Sequence, residues 1–218
     1  MTQTKAVVFD VDGTLVDTND LHVAAWCDTF RHYGREVAPD AVRAQMGKGG
    51  DQLMPEFWSE DELARIGEEM QQMRVDIFMR DYLPRAKPFP GVREFMEELR
   101  ANGVRVVLAS SAKKAELDHH VKLLGISPLI DGATSAEDAE HSKPCPDIFQ
   151  AALERLPGVT PEEAIVVGDS PYDVIAAARA GMRTIGVEAG GFSRDCLLEA
   201  GAVAVYRDVA ELRHAAWT

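Results

Sequence analysis

Two aspartates, Asp10 and Asp12, follow an apolar segment close to the start of the chain. Side chains two positions apart on an extended chain point the same way, so both carboxylates are expected to face one point. Two carboxylates held together repel each other, and a sequence without a use for them should avoid the pair. The structural alternative is an Asx-turn that closes a strand, for which Asp12-Gly13 alone would suffice. The pair therefore indicates a chemical site.

Four more polar residues lie at similar places further along the chain. Ser110 closes one strand-like segment, and Asp169 follows another, with Asp173 four residues later. Lys143 precedes a proline, which restricts its backbone to extended or turn conformations. Each residue also has a structural interpretation: Ser110 as a helix N-cap, Lys143 as a solvated surface lysine, and Asp169 and Asp173 as helix-capping groups. For Asp173 this alternative is a serious competitor.

The elements that position these residues follow from the apolar pattern. Five short segments have consecutive apolar, largely β-branched residues, which is typical of parallel strands covered on both faces. These segments are residues 5–9, 104–109, 164–167, 183–187 and 202–206. Amphipathic segments that end at glycine lie between them, at residues 95–100, 115–124 and 174–180. The alternation predicts an α/β fold with a doubly wound parallel sheet.

Residues 18–87 break this alternation and carry only helical patterns. Ser59 and Glu62 form a capping-box pattern that opens a long helix with an apolar stripe. We therefore predict an inserted all-helical domain over 18–87 and an α/β core formed by 1–17 and 88–218. Trp26, Trp58 and Trp217 are interpreted as packing residues.

Composition limits the partners. The chain has 218 residues and a formal charge of −13, with 46% hydrophobic and 27% charged residues. A chain this acidic is repelled by polyphosphate backbones and by anionic lipid, so we expect neither nucleic acid nor membrane as a partner.

The three cysteines are widely spaced and form no Cys-x-x-Cys pair. Reduced thiols in the cytoplasm are therefore expected.

The motifs taken together resemble those of the haloacid dehalogenase (HAD) superfamily. These are Asp-x-Asp-Gly-Thr at residues 10–14, a strand-end serine, Lys-Pro, and Gly-Asp-x-x-x-Asp at 168–173, in this order. The resemblance covers nearly the whole chain. Its helical insert is similar to the small helical cap of the phosphoglycolate phosphatase and β-phosphoglucomutase branch. The fold implied is a Rossmann-like core with an inserted helical cap.

The resemblance also implies a mechanism through a phosphoaspartate. Asp10 would attack phosphorus, and Asp12 would protonate the leaving oxygen and later activate water. Ser110 would bind the phosphoryl oxygens, while Lys143 would neutralise the nucleophile and the phosphate. Asp169 would hold Mg²⁺ together with Asp10 and the carbonyl of Asp12.

The remaining assigned residues either support the site or contact the substrate. Asp173, Thr14 and Gly13 would support the site from its loops. Lys48, in a glycine-rich loop of the cap, is expected to contact distal groups of the substrate, and Ser111 lies beside Ser110 as a second substrate-binding candidate.

Electrostatics independently requires cations at such a site. Two like charges about 4 Å apart repel by roughly 4 kcal/mol at an effective dielectric constant near 20. A carboxylate cannot approach a phosphate dianion unless cations lie between them. Lys143 would supply one charge and Mg²⁺ two more.

We therefore predict a Mg²⁺-dependent phosphatase, monomeric or homodimeric, that acts on a small phosphorylated metabolite. Asp12 favours phosphoryl transfer over carbon–halogen cleavage, because dehalogenases of the superfamily lack an acid at this position. One alternative is a sugar phosphomutase of the β-phosphoglucomutase type, from which the core motifs do not distinguish a phosphatase. A more remote alternative is a phospho-accepting receiver domain. Its acceptor aspartate would follow a later strand, and it would have no helical insert.

Overall fold

The computed structural model describes residues 4–215, and its centre is a six-stranded sheet. The strands are all parallel and lie in the order β5-β4-β1-β6-β7-β8. Two further strands, β2 and β3, pair antiparallel outside this sheet. The strands are β1 (Ala6–Phe9), β2 (Val16–Asp17), β3 (Lys87–Pro88), β4 (Arg105–Ala109), β5 (Gly132–Thr134), β6 (Ala164–Gly168), β7 (Arg183–Val187) and β8 (Ala204–Tyr206).

The helices fall into two groups along the chain. Four lie between β2 and β3: α1 (Asn19–His32), α2 (Pro39–Arg43), α3 (Gly50–Leu53) and α4 (Glu60–Ile77). The other six lie between or after the strands of the large sheet: α5 (Val92–Ala101), α6 (Lys114–Leu124), α7 (Asp147–Glu154), α8 (Pro171–Arg179), α9 (Arg194–Glu199) and α10 (Val209–Arg213).

The large sheet is covered on both faces, as its apolar segments predict. Val7 and Phe9 of β1 pack into one apolar cluster, whereas Ala6 and Val8 pack into another on the opposite face. This division follows from the two-residue period of a strand. The α/β fold with a doubly wound parallel sheet is confirmed.

The helices between β2 and β3 have an apolar cluster of their own. It includes Phe30 and Met70, together with Trp26 and Trp58, which are both buried there. Trp217 lies outside the described residues. The capping box of α4 is present, since Ser59 and Glu62 each bond the other's backbone amide. The pairing of β2 with β3 ties together the two ends of the segment 18–87.

Two local differences from the sequence prediction have clear causes. The edge strand β5 was not predicted, because its three residues Gly-Ala-Thr carry no apolar run. Helix α8 begins at Pro171, three residues before its first predicted position, because Ser170 and Asp173 form a capping box around polar first-turn residues. Among residues 4–215, no helix combines the length and apolar character needed to cross a membrane.

Candidate active site

The candidate site lies where the order of the strands reverses. Strand β1 is flanked by β4 and β6, from which the sheet continues in opposite directions. Asp10, Ser110 and Asp169 each follow directly after one of these three strands. The carboxyl ends of parallel strands share one edge of the sheet, and ligands of open α/β sheets bind there. Three residues from distant parts of the chain are thereby brought to one place.

Lys143 lies among buried carboxylates. Its ammonium nitrogen Nζ is 2.5 Å from Oδ1 of Asp10 and 2.7 Å from Oδ1 of Asp173. Burial acts to lower the pKa of Lys143, but the two carboxylates outweigh it and raise the pKa. Lys143 is therefore a cation inside the protein. Asp173 also caps α8 through Ser170, so its structural and its site interpretations hold together.

Thr14 and Asn19 fix the other carboxylate of this cluster, Asp169. The Thr14 hydroxyl lies 3.1 Å from Oδ2 of Asp10 and 3.2 Å from Oδ1 of Asp169, and so bridges the two residues. The amide of Asn19 donates to Oδ2 of Asp169 at 2.8 Å and to the carbonyl of Gly190 at 2.8 Å. No motif in the sequence indicates a role for Asn19. It is the first residue of α1, and only the fold brings it to Asp169.

The cluster contains more negative charge than Lys143 alone can neutralise. Burial raises the pKa of Asp10 to about 7, although Lys143 opposes the shift. Burial, with the charges of Asp10 and Asp173, raises the pKa of Asp169 well above its ordinary value. One carboxylate oxygen from each of the three aspartates lies within 4.8 Å of the others. Such a set of hard oxygen donors with excess negative charge fits Mg²⁺.

The space beside Asp169 is limited by the backbone of Gly190. A Cβ at this position would lie 1.6 Å from Oδ2 of Asp169, so Gly190→Ala must displace the carboxylate. We expect this variant to bind Mg²⁺ at least about tenfold more weakly than the wild type, the effect typical of disturbing groups that orient metal ligands. Isothermal titration calorimetry measures the affinity directly. Gly67→Ala in α4, where a Cβ meets ordinary contacts, is the control; equal affinities in both variants would contradict the expectation.

The two serines after β4 are positioned differently. Ser110 is fully buried, and its Oγ accepts a hydrogen bond from the backbone amide of Ala112 at 3.1 Å. Accepting that bond leaves its O–H able to donate. Ser111 lines a cavity between the sheet edge and the helical segment, together with Asp10 and Asp12. Its buried hydroxyl has no hydrogen-bond partner within the described chain, so a ligand in the cavity could supply one.

Asp12 does not belong to the three-aspartate cluster and is contacted instead by a hydroxyl group and two histidine rings. Its Oδ1 accepts a hydrogen bond from the Thr18 hydroxyl at 2.6 Å and lies 3.0 Å from Nε2 of His22. The same oxygen is 3.4 Å from Nε2 of His120. Burial acts to raise the pKa of Asp12, but the two histidines hold it well below its ordinary value. Asp12 is therefore a carboxylate in this arrangement.

The two adjacent histidines of α6 lie in different environments. Their sequence favours a solvated helix face for both, which is wrong for His120: it is fully buried, whereas His119 is exposed. The spacing indicates a buried position for His120, because it lies three residues after Leu117 and four before Leu124, both on the buried face of α6. His22, Arg74 and Glu116 are further polar residues of this region that the sequence analysis did not identify.

Lys48 reaches the cavity but already has partners. Its Nζ donates to Oε1 of Gln45 at 2.6 Å and to Oε1 of Glu56 at 2.7 Å. It also lies over the ring of Tyr172, 4.8 Å from the centroid. The carboxylate of Glu56 thus largely balances the ammonium charge of Lys48 at this wall of the cavity.

The loop that carries Lys48 is bonded to the core next to Lys143. The backbone amide of Gly49 donates to Oγ of Ser142 at 2.9 Å, and the Ser142 amide donates to Asp51 at 3.1 Å. The helical segment and the sheet domain therefore meet directly above the site.

Comparison with known proteins agrees with this arrangement. The family described as haloacid dehalogenase-like hydrolase matches residues 7–187. The chain belongs to this family, and it is an enzyme of the hydrolase class. The membership confirms the resemblance drawn from the motifs at Asp10, Ser110, Lys143 and Asp169.

Two relatives are similar over most of their length. The chain is 32% identical to the phosphorylated carbohydrates phosphatase of Thermotoga maritima, over 93% of this chain and 94% of that protein. It is 30% identical to the pyrophosphatase PpaX of Bacillus velezensis, over 84% of this chain and 82% of that protein. It is also 34% identical to the chloroplastic protein SUPPRESSOR OF QUENCHING 1 of Arabidopsis thaliana; that match covers 95% of this chain and 20% of the plant protein.

A solved structure shares the whole architecture. A hydrolase from Pseudomonas syringae superposes with a TM-score of 0.82 at 26% identity, over 95% of both chains. The agreement includes the helical segment as well as the sheet.

Proposed function

We propose that this protein is a Mg²⁺-dependent phosphatase that hydrolyses small phosphomonoesters through a phosphoaspartate on Asp10. One observation carries the proposal: the Asp10 carboxylate contacts the buried ammonium of Lys143, and Asp12 lines the same cavity with no hydrogen bond to its Oδ2 from the described residues. A nucleophile, a fixed cation and a second carboxylate at one sheet edge are the groups that such a transfer needs.

The reaction has two in-line transfers. In the first, an oxygen of Asp10 bonds to phosphorus, the bond from phosphorus to the leaving oxygen breaks, and Asp12 delivers a proton to that oxygen. A phosphate dianion entering the site raises the pKa of Asp12, because like charge disfavours the carboxylate, and this favours uptake of the proton. In the second, water bonds to phosphorus as Asp12 removes its proton, and the bond from Asp10 to phosphorus breaks.

The other site residues would bind the phosphoryl group and neutralise the negative charge at the site. Ser110 would donate its hydroxyl to a phosphoryl oxygen, and Lys143 would balance the charge of Asp10 and the phosphate. Asp10, Asp169 and the carbonyl of Asp12 would hold Mg²⁺, with Asp173 supporting. When bound, Mg²⁺ neutralises the charge that develops on the phosphoryl group. Gly13 (φ 77°) turns the chain at the site with a conformation that other residues rarely adopt.

The substrate is proposed to be a small phosphorylated metabolite that enters between the core (1–17 and 88–218) and a cap domain (18–87). Lys48 and Ser111 on the cavity wall would contact its distal part. Relatives named for phosphorylated carbohydrates and pyrophosphate support a small phosphorylated substrate. The three cysteines are free, which supports the reducing cytoplasm as location. We expect a monomer or homodimer that binds neither nucleic acid nor membrane.

The direct experiment measures release of inorganic phosphate from a broad panel of phosphorylated metabolites, with Mg²⁺ and with a chelator. We expect release from at least one small phosphomonoester that depends on Mg²⁺. No release from any member of the panel would overturn the proposal. Isomerisation of a sugar 1-phosphate faster than phosphate release would replace the phosphatase with a phosphomutase.

The proposed role of Lys48 gives a separate prediction. Lys48→Ala should raise the KM for the best substrate by about three- to tenfold and leave kcat nearly unchanged, because it removes a contact made equally in ground and transition state. Its bonds to Gln45 and Glu56 limit the effect. Steady-state kinetics measures both constants, with Lys114→Ala, an exposed lysine of α6, as control. An unchanged KM would exclude Lys48 from substrate binding.

A further inference from the structure

The general acid of the proposed reaction is surrounded by groups that the mechanism above does not use. His120 and Glu116 both lie on α6, one helical turn apart, and their side chains are 0% and 1% exposed. Burying an ionisable side chain is costly unless its polar atoms are paired. Yet neither ring nitrogen of His120, nor Oε1 of Glu116, has a hydrogen bond within the described part of the chain. Packing alone does not explain why His120 and Glu116 are buried here.

The nearest groups to the His120 ring are two carboxylates. Its Nε2 is 3.4 Å from Oδ1 of Asp12 and 3.8 Å from Oε1 of Glu116. Both carboxylates therefore face the same ring nitrogen. Oε1 of Glu116 also lies 3.4 Å from Nε2 of His22, so Glu116 lies beside both histidine nitrogens that approach Asp12.

His22 approaches the same oxygen of Asp12 from the cap side. Nη2 of Arg74 lies 2.5 Å from Nδ1 of His22. A guanidinium has no acceptor, so Nδ1 must accept, and the proton of the neutral ring is on Nε2. Nε2 of His22 consequently donates to Oδ1 of Asp12, and a lone pair for a metal ion is not available there. The Nε2–H of His22 thus occupies the space between Oδ1 of Asp12 at 3.0 Å and Oε1 of Glu116 at 3.4 Å, which argues against a second metal site in this cluster.

Three side chains of the described residues approach Asp12 at the same oxygen. Thr18, His22 and His120 converge on Oδ1, at 2.6, 3.0 and 3.4 Å. Oδ2 is the oxygen that remains for the leaving group, and Asp12 lines the cavity where that group would lie. A carboxylate held by one oxygen from three directions is limited in its rotation, so the direction of the other oxygen is set.

We propose that His120 and Glu116 are positioning residues that direct Oδ2 of Asp12 at the leaving oxygen. Neither needs to contact the phosphoryl group. This inference rests on the proposed phosphatase function, and it adds two residues of α6 to the site.

The test compares two substrates that differ in their need for a proton. The phenolate of p-nitrophenyl phosphate leaves readily without one, whereas the alkoxide of glycerol 2-phosphate does not. We expect His120→Phe to lower kcat/KM for glycerol 2-phosphate by about ten- to a hundredfold, part of the 10²–10⁴-fold that general acid catalysis contributes. For p-nitrophenyl phosphate, kcat/KM should fall by less than about threefold.

Matched variants separate positioning from folding. His119→Phe changes the exposed neighbour on the same helix and should leave both substrates unaffected. His120→Gln, whose amide can donate near the position of Nε2, should recover part of the loss. Glu116→Gln should show the same substrate dependence with a smaller effect, and it tests the proposal if His120→Phe does not fold.

The outcomes are distinct. Equal losses for both substrates in the folded variants, or no loss for either, would overturn the positioning role while the phosphatase assignment stands. If the wild type releases phosphate from no substrate at all, the proposed function fails and this inference fails with it.

Discussion

Asp10→Asn should lower the rate of phosphate release by about 10⁴-fold or more. The substitution preserves the shape of the side chain but removes the oxygen nucleophile, and loss of a covalent nucleophile removes the whole two-step route. Rapid quenching after mixing with a ³²P-labelled substrate should trap labelled protein for the wild type and none for the variant.

The stability of Asp10→Asn should not fall, and this separates loss of chemistry from loss of fold. Burial raises the pKa of Asp10 to about 7, so above this pH the ionised carboxylate opposes folding. An amide carries no such charge. Asp20→Asn, at an exposed carboxylate of α1, is the matched control and should keep full activity. Activity of Asp10→Asn within tenfold of the wild type would exclude the phosphoaspartate.

Lys143→Met should destabilise the metal-free protein by about 3 kcal/mol at pH 8, in the range measured when one partner of a buried ion pair is removed. Lys143 is fully buried between Asp10 and Asp173, and methionine fills similar volume without the charge. Activity should fall as well, by about 10²-fold or more, because the phosphate loses a fixed cation.

The loss of stability in Lys143→Met should be smaller at pH 5.5 than at pH 8, and the direction of this difference follows from the pKa of Asp10. Its folded pKa is above its unfolded value, so it opposes folding increasingly as the pH rises from about 4 towards 7. Without Lys143, the pKa of Asp10 in the folded protein rises further. Its ionisation then continues to lower the free energy of unfolding up to a higher pH. Urea unfolding of the metal-free protein at both pH values measures this, with the exposed Lys114→Met as control. A destabilisation independent of pH would contradict the argument.

Much of the site could be predicted because its residues follow strands. Asp10, Ser110 and Asp169 each end an apolar run that is visible in the sequence, and the parallel sheet then brings the ends together. The prediction of the fold was sound for the same reason, since buried strands have consecutive apolar residues. The edge strand β5 lacks that signal and was missed.

The surroundings of Asp12 could not be predicted, because they depend on packing between segments distant in the sequence. Arg74 in α4 contacts His22 in α1, while His120 approaches from α6, which lies between strands of the large sheet. The spacing of His120 from Leu117 and Leu124 contains the signal for a buried face, but nothing in the sequence states which residue lies opposite. Asn19 is similar: its contact with Asp169 joins residues 150 positions apart.

The glycines around Asp169 have a consequence for ion selectivity. A Cβ at Gly13 or at Gly190 would lie 2.4 or 1.6 Å from Oδ2 of Asp169, so main chain bounds this carboxylate at two places, in addition to the side chains of Thr14 and Asn19 that bond it. A boundary of main chain cannot retreat by changing a rotamer. Calcium needs more ligands at longer distances than magnesium. For the proposed Mg²⁺ site, main chain at Gly13 and Gly190 therefore limits how far Asp169 can move to admit a larger cation.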